Sequence, residues 1–191
     1  MKIIIASDIF GKTQALEELA NCICGNTLIV DPYDGASMAF NNESDAYSYF
    51  SKHVTLERYC TILQEHLVRC SGPTTIIGFS VGASALWKLS PTLEAPIQAA
   101  IGIYSAQIRH YLNILPNVPF HLIFPQKEPH FDVDAVSYSL NGTPNVTITS
   151  MPYDHGYMNR HSANFDEKGY RHTVQDLKNE FLRSTQSPLT S

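Results

Sequence analysis

The sequence is short of charge, and what charge it has is not basic. Asp, Glu, Lys and Arg make up 16% of 191 residues, with 13 basic against 18 acidic side chains and a formal net charge of −5. Proteins built to grip nucleic acid usually carry a basic stripe, so no nucleic-acid partner is expected. Long hydrophobic runs are also missing. The apolar stretch at the N-terminus, Ile3–Ala6, is soon interrupted by Asp8, which excludes a secretory signal. No stretch approaches membrane-spanning length. A cytoplasmic protein without a membrane partner is expected. Cysteines are few: Cys22, Cys24, Cys60 and Cys70, none spaced as Cys-x-x-Cys. Such spacing argues for reduced, structural thiols over a disulfide frame or a metal site. No repeat and no linker divides the chain. One domain is therefore expected over residues 1–184, with a C-terminal tail at 185–191. The low charge permits a homodimer interface without requiring one, so monomer and homodimer both stand.

What is present is alternation. Apolar, β-rich runs occur at Ile3–Ala6, Leu28–Val30, Thr75–Phe79, Ala99–Tyr104, Phe120–Phe124 and Val146–Thr149. They read as strands buried on both faces. Helical stripes fall between them, at Ala15, Leu16, Leu19, Ala20 and Ile23, and again at Leu56, Tyr59, Cys60, Leu63 and Leu67. A last stripe comprises Val174, Leu177 and Phe181. The pattern predicts an α/β fold: a minimal six-stranded, mostly parallel sheet with helices on both faces. In such sheets ligands bind beyond the carboxyl ends of the strands. The non-periodic stretch "DPYDGASMAFNNESDAYSYF" reads as a loop, or a loop with a short helix, and as a candidate pocket wall.

The most informative segment is "TTIIGFSVGASALWKLS". A strand runs into Gly78-Phe79-Ser80-Val81-Gly82 and then into a helix, the context that gives the Gly-x-Ser-x-Gly nucleophile elbow its meaning. Ser80 would sit at a strained turn with its hydroxyl outside the sheet. Gly78 and Gly82 would allow close approach of the neighbouring strand and helix. The amide of Val81, at the helix N-terminus, could donate to an oxyanion. A serine nucleophile needs a base, and the base an acid. His155, in the turn-rich "DHG" after the last strand, is the favoured base over His130 and His161. Glu128, four residues beyond Phe124, is the favoured acid. Asp132 is the alternative, although its position also suits the cap of a helix beginning near Val133.

With these residues in place, the chain resembles the dienelactone hydrolase family of α/β-hydrolases. "ASDIFGKTQALEELA" is similar to that family's Glu-Ile-Phe-Gly block, "LIVDPYDG" to its second strand and turn, "GFSVGAS" to its elbow, and "YDHGYMNRHSANFDE" to its His-Gly-Phe block. The resemblance implies an α/β-hydrolase fold without a lid domain and an esterase-type activity on a small-molecule ester, with no cofactor and no metal. It implies an oxyanion hole from the amides of Ile9 and Val81. It also implies a pocket including Asp8, Phe10, Phe79, Tyr104 and Tyr157. Where dienelactone hydrolases proper use cysteine this chain has Ser80, and where the family acid is usually aspartate it has Glu128.

Two other readings compete. "ASDIFGKT" satisfies a relaxed phosphate-loop pattern, with Asp31 as a magnesium-binding strand end, but Ile9, Phe10 and Asp8 suit a polyphosphate poorly. An α/β-hydrolase scaffold could also serve as a non-catalytic binding module. A metal site from His130, Asp132 and Asp134 would rest on one short loop alone.

Overall fold

Three successive isoleucines, Ile3 to Ile5, begin the sheet, and their side chains divide between two cores. Ile4 and Ala6 pack into one cluster and Ile3 and Ile5 into the other. That split is the period of two expected of a strand covered on both faces. In the computed structural model, which describes residues 2–186, the strands are β1 (Lys2–Ala6), β2 (Thr27–Val30), β3 (Thr74–Phe79), β4 (Ile97–Ile103), β5 (Phe120–Phe124) and β6 (Val146–Ser150). They form one sheet in the order β2-β1-β3-β4-β5-β6, and every pairing is parallel. Helices α1 (Gln14–Ile23) and α6 (Glu167–Gln186) cover one face. Helices α2 (Glu43–His53), α3 (Thr55–Leu67), α4 (Val81–Leu89) and α5 (Val133–Leu140) cover the other. Among the described residues no helix is long and apolar enough to cross a membrane.

Strands β1 and β3 are buried along almost their whole length, but β6 is not. Thr147, Thr149 and Ser150 are exposed because β6 ends the sheet and is paired on one side only. The stretch after β2 contains more order than the sequence led us to expect. Asn42 caps α2 by accepting the Asp45 amide at 2.9 Å, and the helix runs for 11 residues with Ala46 and Phe50 facing inward. At the other end of the chain α6 extends to Gln186, past the expected boundary at 184. Residues 187–191 of the expected tail lie outside the described residues.

The strand order positions the site. The chain leaves β1 for the edge strand β2, then returns to the other side of β1 as β3 and steps outward. Between β1 and β3 the direction of winding reverses, and in parallel sheets the crevice at that point is where ligands bind.

Candidate active site

Four loops leave the carboxyl ends of β1, β3, β5 and β6 and converge. After β3, Ser80 has φ 51° and ψ −111°. A non-glycine residue in this region costs about 1–3 kcal/mol and persists only when its surroundings impose it. Here they do. The Ser80 amide donates to the Ile103 carbonyl at 3.0 Å. Its own carbonyl accepts both the Ser84 amide and the Ser84 hydroxyl at 3.0 Å. Ser84 is fully buried, pairs with the Ser105 hydroxyl at 3.0 Å and accepts the Gln107 amide at 3.2 Å. The flanking glycines are sterically required. A Cβ on Gly78 would stand 2.6 Å from the Ala83 Cα, and one on Gly82 would stand 2.4 Å from the carbonyl oxygens of Ala6 and Ser7.

The Ser80 Oγ lies 3.2 Å from Nε2 of His155, and the His155 Nδ1 lies 2.7 Å from Oε1 of Glu128. The Glu128 side chain is 1% exposed, whereas that of His155 is 15% exposed. The acid is therefore sealed while the imidazole faces the cleft. The second carboxylate oxygen of Glu128 is buried without a hydrogen-bond partner among the described residues. An orphaned buried acceptor is expensive. Asp132, the alternative acid, caps α5 by accepting the Ala135 amide at 3.1 Å. His161 stacks on Phe10 at 5.4 Å between ring centroids, and His130 lines the cleft. Among the described residues no three His, Cys, Asp or Glu side chains are grouped to hold a metal.

The histidine loop is tied down locally. Gly156 adopts φ +83°, and a Cβ there would meet the Ser162 Oγ at 2.6 Å. The Asn164 side-chain amide donates to the His155 carbonyl at 2.9 Å. The Tyr104 ring sits 5.0 Å from the imidazole and packs in turn against Phe79 and Tyr157.

In the loop after β1, Ile9 lines the cleft beside Ser80 and Val81. The peptide that follows Ile9 is fixed at both ends. Its carbonyl accepts the Tyr33 hydroxyl at 2.7 Å, and its N–H, on Phe10, donates to the Asp8 Oδ1 at 2.9 Å. Asp8 also accepts from the Asn159 side-chain amide at 2.5 Å through Oδ2. Burial raises the Asp8 carboxyl above its ordinary value, while the Phe10 amide, Asn159 and the nearby His155 pull it back down. Burial likewise raises the Tyr33 hydroxyl, with the charges of Asp8 and Asp31 adding to the effect. The phosphate-loop reading fails on this geometry. The Phe10 and Gly11 amides are already taken by Asp8, Lys12 turns outward to Glu17 at 3.1 Å, and Asp31 holds the Tyr33 and Gly35 amides.

The cleft has a volume of about 360 Å³. Beside Ile9, Ser80, Val81, Glu128 and His155 it is lined by Glu43, Ser44 and Tyr47 of α2, by Ala106, Gln107 and Arg109 after β4, and by Pro129, His130 and Asn164. None of the five side chains expected in the pocket is among them. Asp8, Phe79 and Tyr104 instead line a separate small pocket of about 20 Å³, bounded also by Leu16, Asn159 and Arg160, with room for a single water. Phe10 is buried against His161, and Tyr157 is fully buried with its hydroxyl 2.8 Å from that of Thr173. These aromatic residues flank the elbow and histidine motifs in sequence but pack into the core below the cleft. The walls come from α2, inside the stretch expected to wall a pocket, and from the 106–109 segment, which carries no motif. Ser84, Tyr33 and Asn159 also went unread. All three lie inside segments singled out above, Ser84 in "GFSVGAS", Asn159 in "YDHGYMNRHSANFDE" and Tyr33 in "DPYDG", but no local pattern marks their partners.

No family model matches the chain. It is 29% identical over 184 residues to the uncharacterized protein YczH of Bacillus subtilis (strain 168), covering 93% of this chain and 90% of that one. A solved structure assigned as a dienelactone hydrolase from Klebsiella pneumoniae superposes with a TM-score of 0.75 at 15% identity, covering 95% of this chain and 86% of that one. The fold is that of the α/β-hydrolases. Within this fold the Ser80 turn stands at the junction of a central strand and its helix, and no lid domain is found among the described residues. A metagenomic dienelactone hydrolase-like promiscuous phosphotriesterase superposes with a TM-score of 0.66 at 14% identity, over 95% of this chain and 85% of that one. Est1E of Butyrivibrio proteoclasticus does so with 0.64 at 11%, over 97% and 88% respectively.

Proposed function

We propose that the protein is a serine hydrolase that cleaves small carboxylic esters or thioesters through an acyl-serine intermediate. The reading is carried by the unbroken chain from Ser80 Oγ to His155 Nε2 at 3.2 Å and from His155 Nδ1 to Glu128 Oε1 at 2.7 Å. Glu128 is acceptor-only when ionised, so it holds the proton on Nδ1 and leaves Nε2 free to accept. Ser80 Oγ attacks the acyl carbon as its proton passes to Nε2. The imidazolium, balanced by Glu128, then gives that proton to the departing alkoxide or thiolate. Water, deprotonated by the same nitrogen, releases the acid and restores Ser80.

The tetrahedral oxyanion falls between the amides of Ile9 and Val81. Neither amide has an acceptor among the described residues, and the Val81 amide opens α4, whose dipole favours negative charge. The buried, partnerless oxygen of Glu128 supports the same reading, because a feature that costs stability is retained where chemistry uses it.

The test is covalent labelling. A fluorophosphonate should modify Ser80, identified by peptide mass spectrometry, and a p-nitrophenyl ester should give an initial burst of phenolate as the acyl-enzyme forms. Ser80→Ala and His155→Ala should abolish both. Ester hydrolysis retained by Ser80→Ala would refute the mechanism. Absence of labelling in folded wild-type protein would leave a scaffold that binds without turnover.

A further inference from the structure

Asp8 and Asn159 stand 151 positions apart and yet share the hydrogen bond that joins the first site loop to the last. Each has a second partner on its own loop. The Asp8 Oδ1 accepts the Phe10 amide at 2.9 Å, and the Asn159 Oδ1 accepts the His161 amide at 2.8 Å. The Asn159 backbone N–H in turn donates to the Gly156 carbonyl at 2.8 Å, directly behind His155. The polarity of the pair is thereby determined. Asn159 must present its NH₂ group to Asp8, and Asp8 must accept through both oxygens. Protonation at either oxygen would aim a hydrogen at a donor and cancel one of the two bonds.

We propose that Asp8 and Asn159 form an ionised latch that holds the Ile9 loop and the His155 loop in register, making both of them positioning residues for the reaction at Ser80. The inference rests on the serine-hydrolase reading above. Asp8 touches no reacting atom: it lines the separate small pocket and is not among the residues of the substrate cleft. It acts through the two groups it fixes. One is the Asp8–Ile9–Phe10 segment, which carries an oxyanion donor. The other is the turn that carries the general base. Both matter most in the transition state, so the latch acts on kcat more than on KM. The charged and titratable groups around Asp8 are His155 and Arg160 in the histidine loop, Glu43 on α2, Tyr33 after β2, Tyr59 on α3 and Tyr104 after β4. Of these His155, as an imidazolium, favours the Asp8 anion.

The experiment exchanges the pair. Asp8→Asn places two NH₂ groups face to face unless one of the two amides flips and abandons the backbone N–H it accepts, that of Phe10 or of His161. Asn159→Asp places two carboxylates together, tolerable only while one proton is shared. The double exchange rebuilds every bond with the donor reversed and keeps one negative charge. With p-nitrophenyl acetate between pH 5 and 9, each single variant should lose about 10- to 100-fold in kcat, the scale of an ångström-level misplacement, with KM little changed. Activity of Asn159→Asp should fall as pH rises and the proton shared by the two carboxylates is lost, a fall that the wild-type protein should not show. The double exchange should recover most of the loss.

Single variants with wild-type kcat and pH profile, or a folded double exchange no better than the singles, would overturn the latch. Should a single variant fail to fold, amide exchange in the wild-type protein decides: protection at both Phe10 and His161 supports the latch, and rapid exchange at both overturns it. Ser80→Ala, assayed alongside, separates the two claims. If it still hydrolyses ester, the serine mechanism falls. If it is inactive while the single variants are unimpaired, only the latch falls.

Discussion

Gly82→Ala puts one carbon into the tightest contact around the site. Its Cβ would lie 2.4 Å from two carbonyl oxygens, those of Ala6 and Ser7, where real contacts essentially never come below 3.0 Å. The helix and the strand must therefore separate by at least 0.6 Å. Both obstacles are backbone, and no rotamer change relieves them. The Ala6 and Ser7 carbonyls belong to the end of β1, the central strand that pairs with both β2 and β3, so it is the N-terminus of α4 that gives way. Overpacking of this kind costs about 1–3 kcal/mol, which for a chain of this size lowers Tm by roughly 3–10 °C. The same shift carries the Val81 amide and the Ser80 turn away from His155, and a displacement approaching 1 Å costs about 100-fold in rate. Differential scanning calorimetry and steady-state ester hydrolysis measure the two effects together. Gly25→Ala is the control, since a Cβ there meets nothing within 4 Å and its backbone is unstrained. Wild-type Tm and kcat in Gly82→Ala would refute the reasoning.

Glu128→Gln should fold but lose activity, with kcat down about 10,000-fold as in comparable triads, because its NH₂ group must either face the His155 N–H or occupy the buried site of the unpartnered oxygen. For Asp8, burial holds the native carboxyl above its ordinary value of 3.8, so the folded state binds the proton more tightly. Stability should fall as pH rises from that value through the native one, and thermal melts of Asp8→Asn across the same range should lack that slope. Burial pushes the Cys60 thiol up to about 11, whereas Cys22 is exposed. Iodoacetamide at pH 8 should therefore alkylate Cys22 well before Cys60, as read by peptide mass spectrometry.

The features legible in the sequence are those written locally. Ile3 to Ile5 and Thr75 to Ile77 announce buried parallel strands because both faces demand apolar side chains. The elbow announces itself because a serine between two glycines at a strand–helix junction satisfies three steric demands within five residues. Helix α2 was less visible, since it buries only Ala46 and Phe50 and its remaining positions face solvent or the cleft. The wall expected from the stretch after β2 is present in Glu43, Ser44 and Tyr47, but the five side chains expected in the pocket lie elsewhere for a related reason. Phe10, Phe79 and Tyr157 are large and apolar, and tertiary packing draws such side chains into the core, leaving polar and small residues from distant segments to make the walls. The Asp8–Asn159 contact has no local signature at all: nothing in "ASDIFG" refers to "YMNRH". The same Asp8 is costly to keep charged, since burial outweighs its two hydrogen bonds and the attraction of His155. Such local disagreement with stability is the usual mark of a residue kept for function.

Because every strand points the same way, the molecule has a working end and an idle one. The turns containing Gly25 and Gly72 precede β2 and β3, at the amino ends of the sheet, and a side chain added at either meets nothing within 4 Å. A cysteine introduced there would give a handle for a fluorophore or a solid support a full strand length from Ser80. The cleft would then face outward from any surface to which the protein was tethered.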